Sequence, residues 1–405
     1  MKTDVLIIGG GPAGMAAALG CAENGTKCTI VERNSFLGGI LRQCIHNGFG
    51  LHYFNEELTG PEYASRFKEK IAKNKNIKVM LNTFVTAVDG KIVTITNESG
   101  VQKIEAKAIV LAMGCMERVP ANISLVGSRP VGVLTAGCAQ KLVNIYGKLP
   151  GKEIVILGSG DIGLIMARRL TLQGAKVKAV LEINSTPSGL RRNITQCLDD
   201  FNIPLLLKTT IFEVVGDGKI KGVYYGQVDD KFNKIENTKK FLPCDCLILS
   251  VGLTPERDLV EYLPFNRATK STFVDDLLQT NVEGVFACGN FLHVHDLVDN
   301  VTNEAFVAGK SASEYVKSGY KKVKTVSVVA GNLVSYVLPN FVRCENGTAT
   351  LKFRLRNKVV KSFVVLKQNG ETIAKKYLLA GLPGEMLTMD VDKSLVKSDL
   401  TLEVE

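Results

Sequence analysis

Short apolar runs that end in glycine-rich turns organise the first part of the chain. The run from Asp4 to Gly9 leads into the turn Gly9–Gly14, and an alanine-rich stretch follows as far as Gly25. A second apolar run then ends at Glu32. Pro12 suits the first turn of a helix, and Gly25 suits the left-handed residue after one. The pattern predicts a buried strand, a helix and a second strand.

The same order of elements returns later in the chain. An apolar run over 153–157 leads into Gly158–Gly163, a helical stretch to Gly174 and a strand that reaches Glu182. Related segments also follow each unit: Asn76-Ile77 and Asn202-Ile203, Asp89–Ile92 and Asp217–Ile220, and Leu111–Gly114 and Leu249–Gly252. Their Asp-Gly pairs predict tight turns between antiparallel strands. We interpret the chain as two copies of one structural plan.

The pattern changes towards the C-terminus. A last short apolar strand over 285–287 precedes a helix predicted from about Val301 to Val316. Beyond Tyr320, apolar and polar residues alternate strictly, as in Leu351–Arg356 and Leu400–Val404. Alternation with period two predicts strands with one buried face. We therefore expect a small all-β sandwich in this region.

Composition narrows the class of protein. The chain has 405 residues, of which 45% are hydrophobic and 22% charged, with 38 Gly and 12 Pro, and these values exclude collagen-like and disordered chains. Every long apolar run is interrupted by glycine or charge, so we expect no transmembrane span. The N-terminus lacks the features of a signal peptide, and we expect a cytoplasmic protein whose ten cysteines are reduced thiols.

The net charge of +10 raises the question of nucleic-acid binding. Basic runs interleaved with aromatic residues are missing and the chain has no Trp, so we expect no nucleic-acid partner. Residues 321–405 carry six more Lys and Arg than Asp and Glu. This excess is either a solvated surface or a docking surface for another protein.

The spacing of the glycines within each turn has a physical explanation. In G-x-G-x-x-G after a strand, the first Gly makes the turn, the second lets the backbone approach a pyrophosphate and the third permits close helix packing. An acid about 20 residues later accepts hydrogen bonds from a ribose. Glu32 follows Gly14 by 18 positions, and Glu182 follows Gly163 by 19. Two complete units of this kind predict two dinucleotide-binding sites.

The acid of the second unit bears on the choice of nicotinamide nucleotide. A carboxylate at Glu182 favours the 2′-hydroxyl of NAD(H) over a 2′-phosphate, which requires a basic partner. Arg191 and Arg192 follow nine and ten positions later and could reach a 2′-phosphate. We therefore expect NADH as the preferred nucleotide and keep NADPH as the alternative.

These motifs carry a family resemblance over residues 1–320. The chain resembles the two-dinucleotide flavoproteins of the pyridine-nucleotide-disulfide-oxidoreductase superfamily, with the FAD motif first and the NAD motif second. The resemblance implies an α/β fold of two Rossmann-like FAD/NAD(P)-binding domains with a three-layer ββα sandwich, followed here by the small all-β domain. The implied domains are 1–115 with 253–320 for FAD, 116–252 for NAD(P) and 326–405 for the β-sandwich.

The resemblance also assigns cofactor binding to individual positions. The residues that it assigns are Gly9, Gly11, Pro12, Ala13, Gly14, Glu32, Arg33, Gly38, Gly39, Val85, Ala112, Met113, Gly114, Gly158, Gly160, Asp161, Ile162, Gly163, Glu182, Gly252, Gly289, Asn290, Val301 and Thr302. We expect no metal site.

A narrower resemblance lies in Gly38–Gly50, Met113–Pro120 and His293–Asp296. These segments resemble a bacterial subgroup of NADH oxidase-like flavoproteins, including subunits that pair with a glycerol-3-phosphate-dehydrogenase-like subunit. They are also similar to the dinucleotide-binding subunits of hydrogen cyanide synthase and sarcosine oxidase. Two residues depart from the superfamily pattern: Asn290 replaces an Asp that bonds a ribitol hydroxyl, and Met113 replaces a Thr. An Asn side chain can still bond that hydroxyl.

The cysteine pair of disulfide reductases is missing from the sequence. Those enzymes carry two cysteines a few residues apart, after the Gly-Gly pair or as Cys-x-x-Cys in the NAD domain, and neither occurs here. Cys244-x-Cys246 falls on a predicted strand, and we interpret it as structural. Cys44 lies near the position at which single-cysteine flavin peroxidases and oxidases place their redox thiol. Cys44 either reacts, with His46 or a helix dipole lowering its pKa, or packs beside the cofactor without chemistry.

Two histidines, His293 and His295, follow the second FAD motif. In this fold the helix predicted to begin at Val301-Thr302 should direct its N-terminus at the flavin pyrimidine ring and stabilise negative charge there. His295 is then a candidate to hydrogen-bond the flavin or relay a proton, the alternative being an ordinary polar contact.

Together these features predict a FAD-dependent NAD(P)H oxidoreductase. NADH would pass hydride to flavin N5, and electrons would leave to oxygen, to a dye or quinone, or to a partner dehydrogenase subunit, from which the flow could also run back to NAD. Cys44, His46 and His295 are the candidate catalytic residues, and a dehydrogenase-like subunit or a second copy of the chain is the expected protein partner. Two alternatives stay open: a thiol or peroxide reductase that uses Cys44, and an assembly subunit with a catalytically silent flavin.

Overall fold

The computed structural model of the chain describes residues 1–319 and 321–405. It contains two compact units, one formed by Met1–Cys115 with Pro255–Glu405 and the other by Met116–Thr254. Each unit contains one of the two glycine turns. Tyr320, the predicted end of the FAD-binding domain, lies outside the described residues. In the part of the chain that the structure describes, no helix is both long and apolar enough to cross a membrane.

The N-terminal part of the chain contains strands and helices in alternation. Its elements are β1 (Lys2–Ile8), α1 (Pro12–Glu23), β2 (Cys28–Val31), α2 (Gly60–Ala72), β3 (Ile77–Met80), β4 (Phe84–Asp89), β5 (Ile92–Asn97), β6 (Gly100–Leu111) and β7 (Cys115–Glu117). β6 is long because its two halves have different partners. Its first residues pair antiparallel with β5, and its last residues pair parallel with β1. One strand thus connects the parallel strands to the antiparallel strands that the Asp-Gly turn predicted.

The next part of the chain repeats this plan. Its elements are β8 (Val133–Thr135), α3 (Ala136–Asn144), β9 (Glu153–Leu157), α4 (Asp161–Leu172), β10 (Lys176–Leu181), α5 (Arg191–Cys197), β11 (Leu205–Leu206), β12 (Thr209–Asp217), β13 (Lys219–Gln227), β14 (Lys240–Pro243), β15 (Cys246–Leu249) and β16 (Leu253–Pro255). The parallel sheet has the order β11-β10-β9-β15-β8, and β12-β13-β14 form an antiparallel sheet. One apolar core lies between helices and parallel sheet and another between the two sheets, as a three-layer unit requires.

The chain then returns to the first sheet through β17 (Val285–Ala287) and α6 (Val298–Ser318). β17 pairs parallel with β6, which gives the order β3-β2-β1-β6-β17. α1 is apolar on nearly all sides because α6 covers it closely: a Cβ on Gly309 would lie 2.0 Å from the Ala17 carbonyl oxygen. The predicted start of this helix at Val301 is wrong by three residues. Leu297 is the extended N-cap residue, and Asp299 supplies the acid of the first turn.

The C-terminal region consists of strands. They are β18 (Thr325–Ala330), β19 (Val334–Leu338), β20 (Phe341–Arg343), β21 (Thr348–Leu355), β22 (Val359–Gln368), β23 (Glu371–Gly381), β24 (Leu387–Asp392) and β25 (Leu400–Val404). They form two sheets, β20-β18-β25-β22-β23 and β19-β21-β24. Side chains from both sheets, such as Leu366 and Phe353, share one core. The predicted fold class, two Rossmann-like domains and a small all-β domain, is confirmed.

Short 3₁₀ helices complete the described elements. They lie at Gly39–Gln43, Pro120–Ile123, Asp199–Phe201, Glu236–Thr238, Gly289–Phe291 and Lys393–Leu395. The β domain is joined to the rest of the first unit by a nearly buried ion pair, in which Lys393 Nζ lies 2.8 Å from Asp276 Oδ2.

Candidate functional site

The first glycine turn, Gly9–Gly14, joins β1 to α1. A Cβ on Gly9 would lie 2.4 Å from the Ala112 carbonyl oxygen, and a Cβ on Gly14 would lie 1.8 Å from the Gly9 carbonyl oxygen. A Cβ on Gly11 would meet no atom of the described residues within 4 Å. The outer glycines therefore close the turn, and the middle one leaves room beside it. Gly11 caps α1 without a side chain and the first turn carries no acid, so the backbone N–H groups suit a phosphate.

Glu32, at the end of β2, is tied to this turn. Its Oε2 accepts the Gly10 N–H at 2.7 Å, and its Oε1 accepts the Asn34 N–H at 2.8 Å and the Asn34 side-chain amide at 2.7 Å. The Glu32 carbonyl oxygen accepts the Thr83 N–H at 3.0 Å, which brings the start of β4 with Val85 close to the strand end. The buried carboxylate thus lies beside the turn, as its predicted role with a ribose requires.

The second glycine turn repeats these contacts atom for atom. Glu182 Oε2 accepts the Ser159 N–H at 3.0 Å, and Oε1 accepts the Asn184 N–H at 2.9 Å and its side-chain amide at 2.7 Å. The Glu182 carbonyl oxygen accepts the Thr209 N–H at 2.9 Å. A Cβ on Gly158 would lie 2.1 Å from the Ser250 carbonyl oxygen, the counterpart of Ala112. The duplication seen in the sequence therefore extends to the hydrogen bonds of both acids.

The carboxylates of Glu32 and Glu182 differ in the number of hydrogen bonds that they accept. Glu182 Oε2 also accepts the hydroxyls of Ser159 at 2.5 Å and Ser188 at 3.1 Å, whereas Glu32 Oε2 accepts one protein donor among the described residues. The Ser188 N–H in turn donates to Ser159 Oγ at 2.9 Å. Among the described residues, the Glu182 carboxylate therefore accepts two more hydrogen bonds than the Glu32 carboxylate.

Hydrogen bonds connect the segment after Glu182 to the helix that follows the second turn. Asp161, the first residue of α4, accepts the Leu190 N–H at 2.8 Å and the Asn193 side-chain amide at 2.7 Å through Oδ1. Asp161 therefore fixes the start of α5, a contact that the predicted cofactor role did not include. Arg191 and Arg192 follow on α5 and are exposed.

The remaining predicted residues of this unit surround the same turn. Ile162 and Gly163 lie in the first turn of α4, and a Cβ on Gly163 would lie 2.6 Å from Ser250 Cβ. Gly160 is the uncapped N-cap residue of α4. Gly252 follows β15 with a φ of +95°, in the left-handed region that favours glycine.

The Gly38-Gly39 pair meets the first turn directly. The Gly38 N–H donates to the Gly10 carbonyl oxygen at 2.8 Å, and a Cβ on Gly39 would lie 3.0 Å from Gly11 Cα. Arg33, predicted to bind cofactor, pairs with Glu256, with Nη1 lying 2.7 Å from Oε1. Its cofactor contact stays a prediction.

The raised pKa of Cys44 favours the second interpretation of this residue, packing beside the cofactor without chemistry, and its reactivity stays a prediction. Burial raises the pKa of the Cys44 thiol to about 12, so the thiol keeps its proton near neutral pH. Its Sγ lies 3.4 Å from the Ile40 carbonyl oxygen. The His46 ring lies 5.0 Å from the ring of Phe49, and His46 Nδ1 lies 2.9 Å from the Asn47 carbonyl oxygen.

The second flavin motif lies against the first. Gly289 has a φ of +67°, and a Cβ on it would lie 2.6 Å from Ala13 Cβ at the start of α1. Asn290 Oδ1 accepts the His295 N–H at 3.1 Å. Gly114, which follows Met113 at the end of β6, has a φ of +78°. The structure thus brings three separate glycine segments of the first unit around the start of α1.

His295 faces protein groups. Its Nδ1 lies 2.9 Å from the His293 carbonyl oxygen, and its Nε2 lies 3.3 Å from Glu304 Oε2. The predicted flavin hydrogen bond or proton relay by His295 stays a prediction.

Val301 and Thr302 lie one turn inside α6. Val301 is buried, and Thr302 Oγ1 lies 2.7 Å from the Tyr63 hydroxyl. At the true start of the helix Asp299 is buried, and its Oδ2 accepts the His52 N–H at 3.0 Å. The N-terminal N–H groups of α6 therefore belong to Val298–Asn300.

Sequence reasoning missed Glu304, Ser188 and Lys352. Glu304 Oε1 accepts the Gly289 N–H at 2.8 Å, and its Oε2 lies 2.7 Å from Lys352 Nζ. A carboxylate on an otherwise apolar helix face was the available signal for Glu304. Ser188 and Lys352 carried no such signal, because each acts through a contact with a distant segment.

Comparisons with known proteins agree with this arrangement. The family described as pyridine nucleotide-disulphide oxidoreductase matches residues 3–312. The chain is 33% identical over 193 residues to hydrogen cyanide synthase subunit HcnB of Pseudomonas protegens, a match that covers 45% of this chain and 39% of that subunit. It is 24% identical over 323 residues to the ferredoxin–NADP reductase of Ignicoccus hospitalis, covering 78% of this chain and 99% of that enzyme.

Solved structures show the same fold. The thioredoxin reductase of T. acidophilum superposes with a TM-score of 0.64 at 21% identity, covering 78% of this chain and 99% of that one. FAD and NAD(P)H are the cofactors of the matched family, which confirms the prediction of both. The chain therefore belongs to the pyridine nucleotide-disulphide oxidoreductase family and is a flavin-dependent pyridine nucleotide oxidoreductase.

Proposed function

We propose that the chain takes electrons from NADH and passes them to an acceptor outside the chain, with no dithiol of its own. One observation carries this proposal: each unit holds a complete glycine turn with its acid, whereas no two cysteines have the Cys-x-x-Cys spacing. When bound, the flavin accepts hydride from a nicotinamide and releases electrons singly or in pairs.

The residues of the first unit would hold the flavin cofactor. The uncapped N–H groups at the start of α1 suit its phosphates, and the buried Glu32 carboxylate suits its ribose. Gly38-Gly39 and Gly289-Asn290 close around the same helix start. Asn290 keeps its side-chain NH₂ for a ligand hydroxyl, since its Oδ1 serves His295.

The residues of the second unit favour NADH. Glu182 is buried beside the turn, where its carboxylate suits a 2′-hydroxyl better than a 2′-phosphate. Arg191 and Arg192 are exposed at the start of α5, and they are the groups that could still bind the 2′-phosphate of NADPH. We therefore infer a preference for NADH that arises from Glu182.

The acceptor is best sought in a partner subunit. The similarity to a protein that is named as a subunit of hydrogen cyanide synthase supports this choice, as does the excess of positive charge in residues 321–405. Such a surface would bind an acidic patch of a dehydrogenase-like subunit. Oxygen, a dye or a quinone would be alternative acceptors.

Anaerobic titration with NADH tests the proposal. We expect stoichiometric loss of the flavin's visible absorbance, its return on adding a dye, and a kcat/KM for NADH at least about tenfold above that for NADPH. Purification from native cells would show whether a dehydrogenase-like subunit co-elutes. A flavin that dithionite reduces and NADH does not would reject the proposal in favour of an assembly subunit.

Changing Cys44 to Ser tests the thiol or peroxide alternative. We expect NADH-dependent dye reduction and peroxide consumption within about twofold of the unmodified protein, because a thiol with a pKa near 12 supplies almost no thiolate. Cys197, a buried thiol of the second unit, provides a matched Cys→Ser control for the cost of burying a hydroxyl. Loss of peroxide turnover in the Cys44 variant alone would restore the thiol mechanism.

A further inference from the structure

Glu304 links the second flavin motif to the C-terminal β domain. Its side chain is 2% exposed. One carboxylate oxygen, Oε1, accepts the Gly289 N–H at 2.8 Å. The other, Oε2, lies 2.7 Å from the ammonium of Lys352 on β21. A single buried carboxylate thus holds both a backbone group of the turn and a cation from another domain.

Two histidines also lie next to the Glu304 carboxylate. His293 Nε2 lies 2.9 Å from Glu304 Oε2, and His295 Nε2 lies 3.3 Å from the same oxygen. Burial lowers the pKa of His293 to about 3, so this ring is neutral and its Nε2–H donates to the carboxylate. Tyr336 and Cys288 also face the cluster, and burial raises the pKa of each, so both stay neutral.

Lys352 decides the charge of Glu304. Burial alone would raise the pKa of the Glu304 carboxyl, but the Lys352 ammonium and the two histidines outweigh burial and hold it well below its usual range. Lys352 has the largest of these favourable effects, and its Nζ lies 2.7 Å from Glu304 Oε2. A buried carboxylate that loses such a partner is strongly destabilised and takes up a proton more readily.

The position of Lys352 follows from the alternation of β21. Leu351 and Phe353 point into the core of the β domain, and Lys352 and Arg354 lie on the opposite face. Arg354 donates to the Val294 carbonyl oxygen at 3.0 Å and pairs with Asp296. One strand face therefore supplies Lys352 to Glu304 on α6 and Arg354 to the segment between the second flavin motif and α6.

We propose that Lys352 is a positioning residue for FAD, which keeps Glu304 ionised and so holds the Gly289 turn in its binding geometry. The β domain is then part of the flavin site of this chain. This inference rests on flavin binding and is independent of the identity of the electron acceptor.

A bound metal ion is the competing explanation for the cluster. Nitrogen or oxygen atoms of His293, His295 and Glu304 lie within 4.8 Å of one another, a spacing that a divalent cation can use. The ammonium of Lys352, however, already lies 2.7 Å from the carboxylate oxygen in question. A divalent ion would place a second cation on this carboxylate at a buried site, which electrostatics disfavours. We therefore infer that Lys352, and not a metal ion, is the cation that neutralises Glu304.

The full-length Lys352→Met variant tests the assignment through the dissociation constant of FAD, measured by flavin fluorescence from pH 6 to pH 9. We expect about tenfold weaker FAD binding near neutral pH, the loss of one charge-assisted contact. Binding should recover as the pH rises, because Glu304 then ionises without Lys352. The unmodified protein should show no such pH dependence in this range. Lys358→Met removes the same charge from an exposed position of the β domain and should change nothing.

A second variant separates positioning from simple loss of folding. Glu304→Gln in the Lys352→Met background keeps an oxygen for the Gly289 N–H and removes the titrating group, so we expect FAD binding to become independent of pH and to stay near the low-pH value of Lys352→Met. Unchanged FAD binding in Lys352→Met would overturn the proposal, as would a pH dependence that survives in the double variant. Stoichiometric metal in the unmodified protein, lost on His293→Ala, would also overturn it. Protein that binds FAD as described but resists reduction by NADH would reject the proposed function alone.

Discussion

Replacing Gly11 by Ala is expected to give a folded protein that has lost most of its flavin. A Cβ at this position meets no atom of the described residues within 4 Å, so the turn itself tolerates the methyl group. The same space is where the second glycine of the motif lets backbone approach a pyrophosphate. We expect FAD binding to weaken by about a hundredfold, the equivalent of about 2.7 kcal/mol. Visible absorbance after gel filtration and thermal unfolding of the apo-protein measure the two effects separately.

Gly14→Ala is the matched control for this prediction. Its Cβ would lie 1.8 Å from the Gly9 carbonyl oxygen, so the protein's own backbone has to move. We expect this variant to lose thermal stability as well as flavin, whereas Gly11→Ala loses flavin alone. A yellow Gly11→Ala protein with unchanged FAD affinity would show that the cofactor does not approach this turn.

Local sequence was sufficient to predict the two turns and their acids. A glycine turn, its helix and the acid after the next strand are close in sequence, and each follows from a local steric or hydrogen-bonding requirement. The Asn two positions after each acid, Asn34 and Asn184, makes the same two bonds to its carboxylate. Such a repeated detail is visible in the sequence as Glu-x-Asn, although its purpose is visible only in the structure.

Contacts between distant segments were not predictable. The alternation in Leu351–Arg356 correctly indicated a strand, but it did not show that Lys352 on the polar face meets Glu304 of α6 and that Arg354 meets Asp296. A polar side chain has the same pattern whether water or another domain covers it. Cys44 illustrates the same limit, because its raised pKa results from burial, which the residue types around it in sequence do not reveal.

Replacing Gly160 by Ala is expected to leave the flavin in place and to impair its reduction by NADH. Gly160 is the N-cap residue of α4 in the second unit, and a Cβ there would lie 3.3 Å from Ser250 Oγ, a contact that a small shift of the hydroxyl relieves. The flavin turn lies in the other unit and keeps its own glycines. As the second glycine of its motif, Gly160 leaves room for the pyrophosphate of the nicotinamide nucleotide. We expect the KM for NADH to rise at least about thirtyfold.

Stopped-flow reduction by NADH, with dithionite reduction of the same sample as the control, measures this effect. Gly160→Ala should remain yellow, retain its thermal stability and respond to dithionite, and only the NADH reaction should slow. Gly11→Ala should show the opposite result, because it lacks the flavin while its second turn is unchanged. Equal loss of flavin in both variants would mean that the two turns do not serve separate nucleotides. Undiminished NADH reduction in Gly160→Ala would place the nicotinamide nucleotide away from the start of α4.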